Sequence, residues 1–255
     1  MKALQCNGPW NGAPSVRPVS CADVTVLKLN TKGTKVRRDT ELALPRSFYA
    51  RDPVSVARAL LGKVLVRRET KSRINARIVE VEAYLGADDL AAHSAAGRTA
   101  RNSVIFGPPG HTYIYFIYGN HYCLNISCEP EGQAGCVLIR ALEPLTGVEA
   151  MAKARGVSLQ KPGGVRELKK LTSGPGRLAE AFGITRARDN GADVTNPNSG
   201  LWVASDGFKV KTIVATARIG ITKSADLPLR FVVADNPFVS GKKAPATIFR
   251  AEDYL

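Results

Sequence analysis

Glu80 and Glu82 stand two residues apart in the run RIVEVEAYL, Arg77 to Leu85, with Tyr84 two positions further on. Apolar and polar residues alternate here. In a strand, Val79, Val81 and Ala83 point one way, and Glu80, Glu82 and Tyr84 point the other. A lone carboxylate in an aromatic-lined pocket can act as a general base on water. Glu82 suits that chemistry: it lies near the strand's end, beside Tyr84, just before a polar loop containing His93. The plain alternative is a half-exposed strand with solvated acids, and Glu80 is expected to be such an acid.

A second constellation is aromatic. In TYIYFIYGNHYCLNIS, Thr112 to Ser127, two β-prone runs flank Gly119-Asn120, the pattern of a β-hairpin. Four of the chain's seven tyrosines fall in it, so the aromatic surface is concentrated in one element. Tyr113, Tyr115 and Ile117 share one face, and Ile114, Phe116 and Tyr118 the other. Tyr118 sits at the turn, where a core residue is least expected. A large aromatic there could wedge into something stacked, such as a DNA base step; otherwise this is a core hairpin with one exposed Tyr.

Composition narrows the partners. The formal charge of +14 and pI near 9.8 favour a polyanion such as nucleic acid. No apolar run approaches the roughly 18 residues that a membrane span needs. The five cysteines are odd in number, contain no CxxC and accompany only three histidines. That argues against a zinc site and for reduced thiols in an intracellular compartment. The sequon Asn125-Ile-Ser127 falls in a predicted strand of a chain with no visible signal peptide, and is discounted.

The supporting elements follow from the remaining pattern. Residues 1–43 read as a basic, disordered arm: Lys and Arg number eight against three acids in residues 1–50, leaving +5. Asp52-Pro53 caps a helix that ends at Gly62. Strands are expected at Lys63–Arg67, Arg77–Leu85, Cys136–Ala141, Trp202–Ala204, Lys209–Ala215 and Leu229–Val233. Thr146–Arg155 reads as a helix closed by Gly156. Ser173-Gly-Pro-Gly-Arg177 leads into a helix reaching Phe182, either a phosphate seat or an ordinary capped helix. Asp189–Gly200 reads as a surface loop. One mixed α/β domain over 44–255, with a largely antiparallel sheet, accounts for the pattern.

The segments RIVEVEAYLGADDLAAHS, ARNSVIFGPPGHTYIYFIYGNHYCLNIS, CVLIRALEPLTGVEAM and LTSGPGRLAEAFGI occur in that order. In this they resemble the alkyladenine (3-methyladenine) DNA glycosylase family, over about Phe48 to Val239. The resemblance implies an α+β domain with a curved, largely antiparallel sheet, flanking helices and a protruding hairpin. It implies a monofunctional hydrolase without metal or cofactor that flips a damaged purine out of double-stranded DNA and leaves an abasic site; nothing in the sequence indicates a dimer, so a monomer is expected. By the same resemblance Glu82 is the general base, and Arg140 lies near the catalytic water and the target's backbone. Tyr84, His93 and Tyr115 form the pocket walls, and flat aromatic walls suit a cationic alkylated purine. Asn125 lies on the pocket floor, opposite the exocyclic amino group of guanine. Tyr118 is the intercalating residue, and Arg177 a phosphate contact. Asn120 and His121 depart from the bulkier residues common beside the wedge and bear on opposite-base preference; His121 itself reads as an exposed strand residue. The alternative function is a damaged-DNA-binding module without catalysis, but a pure binder has no use for a carboxylate facing its ligand.

Overall fold

The computed structural model describes residues 42–250 apart from 71, 118, 120, 160–163 and 242–245. The basic arm proposed for residues 1–43 falls almost wholly outside them. The nine strands form one sheet: β1 (Val64–Arg68), β2 (Arg73–Tyr84), β3 (Thr112–Ile117), β4 (His121–Ser127), β5 (Cys136–Thr146), β6 (Leu201–Ala204), β7 (Thr212–Thr216), β8 (Arg230–Val233) and β9 (Ala246–Arg250). Six helices accompany them among the described residues: α1 (Arg46–Tyr49), α2 (Pro53–Leu60), α3 (Val148–Ala154), α4 (Val165–Thr172), α5 (Pro175–Ala181) and α6 (Arg186–Asp189). The expected α+β class with a largely antiparallel sheet is what the chain forms.

Strand β2 is the organising element. One edge pairs with β5 along nearly its whole length; the other is divided between β1, at residues 73–77, and β8, at residues 80–82. The remaining order runs β3-β4-β5-β2-β8-β7-β9, with every ladder antiparallel. Apolar side chains of β2, including Ile78, Val79, Val81 and Ala83, enter the main core with Leu124, Ile126, Val137 and Ile139 from β4 and β5. Helix α2 starts where expected: the Asp52 side chain accepts from Ser55 N at 2.9 Å, Pro53 occupies the first turn, and Val56, Ala57 and Leu60 are buried. Such a cap contributes about 1 kcal/mol.

Three expectations need correction. Strand β2 begins at Arg73, not Arg77, and its polar face is buried as fully as its apolar one. Arg77, for example, forks both Asp206 oxygens at 3.0 and 2.9 Å, so a charged residue there does not mark an exposed strand. Strand β9 was not foreseen. And residues 189–200, irregular and mostly part-exposed as a surface loop should be, also bond to the sheet. Gly191 N donates to Thr112 O at 2.7 Å, Thr112 N to Ala192 O at 2.9 Å and Val194 N to Gly110 O at 2.9 Å. The segment thus satisfies the backbone along the outer edge of β3, which would otherwise present unpaired N–H and C=O groups. Val194 is fully buried, and Asp189 forms a buried ion pair with Arg67 at 2.7 Å.

Candidate active site

The aromatic face of the hairpin and the polar face of β2 enclose a cavity of about 420 Å³. Its walls include Tyr84, His93, Tyr113 and Tyr115, and its depth includes Asn125, Leu138 and Arg140. This is the volume class of small-molecule sites. Alternation along β3 delivers Tyr113, Tyr115 and Ile117 into it, as their shared face predicts. The His93 ring meets Tyr115 edge-on, with centroids 4.6 Å apart, and its Nδ1 lies 3.0 Å from the Tyr113 hydroxyl.

Irregular backbone has to place His93, and a buried side chain helps to do so. Asn102 is buried; its Nδ2 donates to His93 O at 2.9 Å and Gly97 O at 3.0 Å, while its Oδ1 accepts from Thr99 N at 2.7 Å. Partial burial, and then the nearby Arg101 charge, lower the His93 pKa, so the neutral ring is favoured. Asn125, which also lines the cavity, is buried and donates from Nδ2 to Tyr113 O at 3.1 Å.

Glu82 lies beneath the Tyr84 wall, its side chain wholly inaccessible. Its Oε1 accepts from Ile219 N at 2.8 Å and faces Arg140 Nη1 at 3.1 Å; its Oε2 accepts from the Tyr84 hydroxyl at 3.1 Å. A carboxylate has roughly four acceptor positions, so Oε2 keeps one open among the described residues. Burial, and then the Glu82 charge, push the Tyr84 phenol well above its ordinary pKa, which keeps it a donor.

Glu80 is not the solvated acid that alternation suggests. Its side chain is fully buried, and Oε1 accepts from Arg140 Nε at 3.0 Å, Arg230 Nε at 2.8 Å and Ser240 Oγ at 3.0 Å. Its Oε2 accepts from Ser240 N at 2.6 Å. Arg140 therefore bridges both glutamates. Burial opposes its charge, but the Glu82 and Glu80 carboxylates outweigh that and raise its pKa. Glu80, Arg230 and Ser240 escaped the sequence reading because they meet only across the sheet, 150 and 160 residues apart.

The remaining expected residues divide. Helix α5 brings Pro175 to the cavity, while Arg177 is exposed one turn outward. His121 is half-buried rather than an exposed strand residue: a Cβ added at Gly176 of α5 would stand 2.8 Å from its Cγ. Tyr118 and Asn120 fall outside the described residues. Sequence reasoning overlooked Cys123, Cys136 and the Ile219-Gly220-Ile221 turn, all of which line the cavity. Burial raises both thiols, Cys136 to about 12, so they stand protonated and unreactive near neutrality. Among the described residues no three His, Cys, Asp or Glu side chains are grouped to hold a metal ion.

The model of the methylpurine-DNA glycosylase family matches residues 47–237, which include every element around this cavity. The chain belongs to that family. It is 62% identical over 200 residues to a Koribacter versatilis protein named "Putative 3-methyladenine DNA glycosylase", covering 78% of this chain and 94% of that one. Proteins of the same name from Methanocella arvoryzae and Alkaliphilus oremlandii are 47% and 44% identical, covering 80% and 79% of this chain and 98% and 100% of theirs. The chain is thus a methylpurine-DNA glycosylase family member, a hydrolase of DNA repair.

Proposed function

We propose that this glycosylase flips alkylated purines out of duplex DNA and hydrolyses their N-glycosidic bonds with a water activated by Glu82. The observation that carries the reading is the buried Glu82 carboxylate. Arg140 and Ile219 N hold its Oε1 at 3.1 and 2.8 Å, and its Oε2 accepts from the hydroxyl of Tyr84, whose ring lines the cavity that Glu82 itself does not line. A water hydrogen-bonded to Oε2 gives up its proton there as its oxygen attacks the sugar carbon. The carboxylate charge also stabilises the oxocarbenium-like sugar in the transition state.

An alkylated purine such as 3-methyladenine or 7-methylguanine is already cationic, so it departs without a strong protein acid. The flat faces of Tyr84 and Tyr115 attract that charge, and the His93 edge completes the wall. Asn125 opposes the exocyclic amino group of guanine. Unstacking a nucleotide costs a few kcal/mol, and Tyr118 at the hairpin tip fills the gap as an intercalating wedge. Asn120 and His121 lie beside that wedge, and Arg177 holds a backbone phosphate. Etheno and deaminated purines, being neutral, rank below alkylated ones. The reaction needs no metal or cofactor, stops at the abasic site and takes place with intracellular DNA.

The test is single-turnover cleavage of an end-labelled duplex with one damaged purine, in EDTA, with alkali to reveal abasic sites. Wild type should cut only after alkali, and Glu82→Gln should bind the same duplex without cutting it. Full cleavage by Glu82→Gln would remove the general base from the proposal. Tight binding without cleavage by wild type, on N-methylated purines too, would leave a damaged-DNA-binding protein instead.

A further inference from the structure

A buried ion pair stands behind one wall of the cavity. Arg218 Nη1 and Nη2 fork Asp89 Oδ2 and Oδ1 at 2.5 and 2.8 Å, and both side chains are wholly inaccessible. Arg218 also donates to Ala83 O at 3.0 Å, and its guanidinium carbon lies over the Tyr84 ring, 4.7 Å from the centroid. Tyr84 lines the cavity and Arg218 does not, so the cation backs the ring from the side away from the ligand. The neighbouring Ile219 supplies the backbone N–H to Glu82, and Asp89 accepts from Leu85 N at 3.2 Å and Ala91 N at 3.1 Å. The pair therefore fixes both loops beside Tyr84 and places a positive charge behind it.

We propose that Arg218, with Asp89 as its counter-charge, is a specificity-determining residue that weights the cavity between cationic and neutral purines. A ring attracts a cation through the negative charge on its π faces. A guanidinium on one face draws on that charge and repels a second cation across the ring. The Tyr84 wall thus favours a cationic base less than an unbacked tyrosine would, leaving room for neutral lesions. Asp89 offsets part of the effect, so the two members act with opposite sign. The inference rests on the flipped-purine reading above.

The test compares affinities in the Glu82→Gln background for duplexes carrying one cationic 7-methylguanine, one neutral ethenoadenine or no lesion. Asp89→Asn/Arg218→Gln keeps a hydrogen-bonded pair but removes both charges. It should raise the preference for 7-methylguanine over ethenoadenine about two- to fivefold, the scale of one cation–π contact. Asp89→Asn alone leaves the cation less neutralised and should lower the same preference below the parent value. Parallel weakening of both lesions, an unchanged ratio, or movement in one direction in both variants would overturn the proposal and leave a purely structural pair. Should the double variant not fold, the sign of the Asp89→Asn effect still decides. Equal affinity for damaged and undamaged duplexes in the parent would instead strike at the flipping reading itself.

Discussion

Glu80 and Glu82 are neighbours of the same type on the same strand face, yet substitution by glutamine should separate them sharply. In Glu80→Gln, Oε1 can still accept from Arg140, Arg230 and Ser240 Oγ, but the new amide N–H₂ meets Ser240 N, another donor, at the former 2.6 Å contact. The negative charge between two buried guanidiniums is lost as well. Arg140 retains Glu82, whereas Arg230 keeps only neutral acceptors, Thr216 Oγ1 at 2.9 Å and Ser240 O at 2.8 Å. Removing one partner of a buried charge pair costs roughly 3–5 kcal/mol. We expect about 3 kcal/mol for Gln and about 5 for Ala, the Gln variant melting ~6–12 °C lower at this chain length. Glu82→Gln leaves Oε1 with both its donors, and the Tyr84 hydroxyl can turn to accept from the new N–H₂. Its stability should stay within about 1 kcal/mol of wild type although cleavage is abolished. Thermal unfolding followed by circular dichroism, beside single-turnover cleavage, checks both halves. A Glu80→Gln protein that melts within about 2 °C of wild type would refute the assignment of Glu80 as the anchor of the network, as would a Glu82→Gln protein that melts below it.

Other consequences are open to direct measurement. Gly176→Ala should push the His121 ring off helix α5, because the added Cβ would lie 2.8 Å from its Cγ; thermal melting should fall, and His121→Ala should restore it in the double variant. The lowered His93 pKa has a definite sign. Below pH ~6.5 the unfolded chain binds a proton that the folded protein resists, so this contribution is lost on acidification and regained as pH rises. His93→Gln should flatten the dependence of melting temperature on pH between about 5 and 7; an unchanged slope would mean that His93 does not titrate differently in the fold.

Local pattern made much of this legible. The hairpin, the Asp52-capped helix and the Cys136–Ala141 half of strand β5 follow from periodicities and punctuation contained within a dozen residues each, whereas the continuation of β5 to Thr146, where a helix was expected to start, did not. Alternation showed only that Tyr113 and Tyr115 share a face and that Tyr84 shares one with Glu82; the walls Tyr84, His93 and Tyr115 were implied by the family resemblance. What could not be read was long-range satisfaction of polar groups. Glu80 looks solvated until Arg140, Arg230 and Ser240 arrive from three other segments. Residues 189–200 carry the composition of a surface turn, yet two of their polar side chains work inward: Asp189 pairs with Arg67, and Asn190 Oδ1 accepts from Ile114 N at 2.9 Å. The start of β2 was hidden because Arg73 and Asn75, ahead of the expected start at Arg77, are polar residues.

The loop bearing His93 has a further consequence. Its shape is held by the Asn102 carboxamide and by Asp89, which accepts from Ala91 N, around the buried Ala92 and Ser94. Ala96, Arg98 and Ala100 are exposed and take no part in that arrangement. They also lie outside the cavity lining, so this stretch can vary while both the sheet and the pocket stay untouched. A library randomised at these three positions should yield mostly folded proteins, whereas randomising Asn102 should yield few.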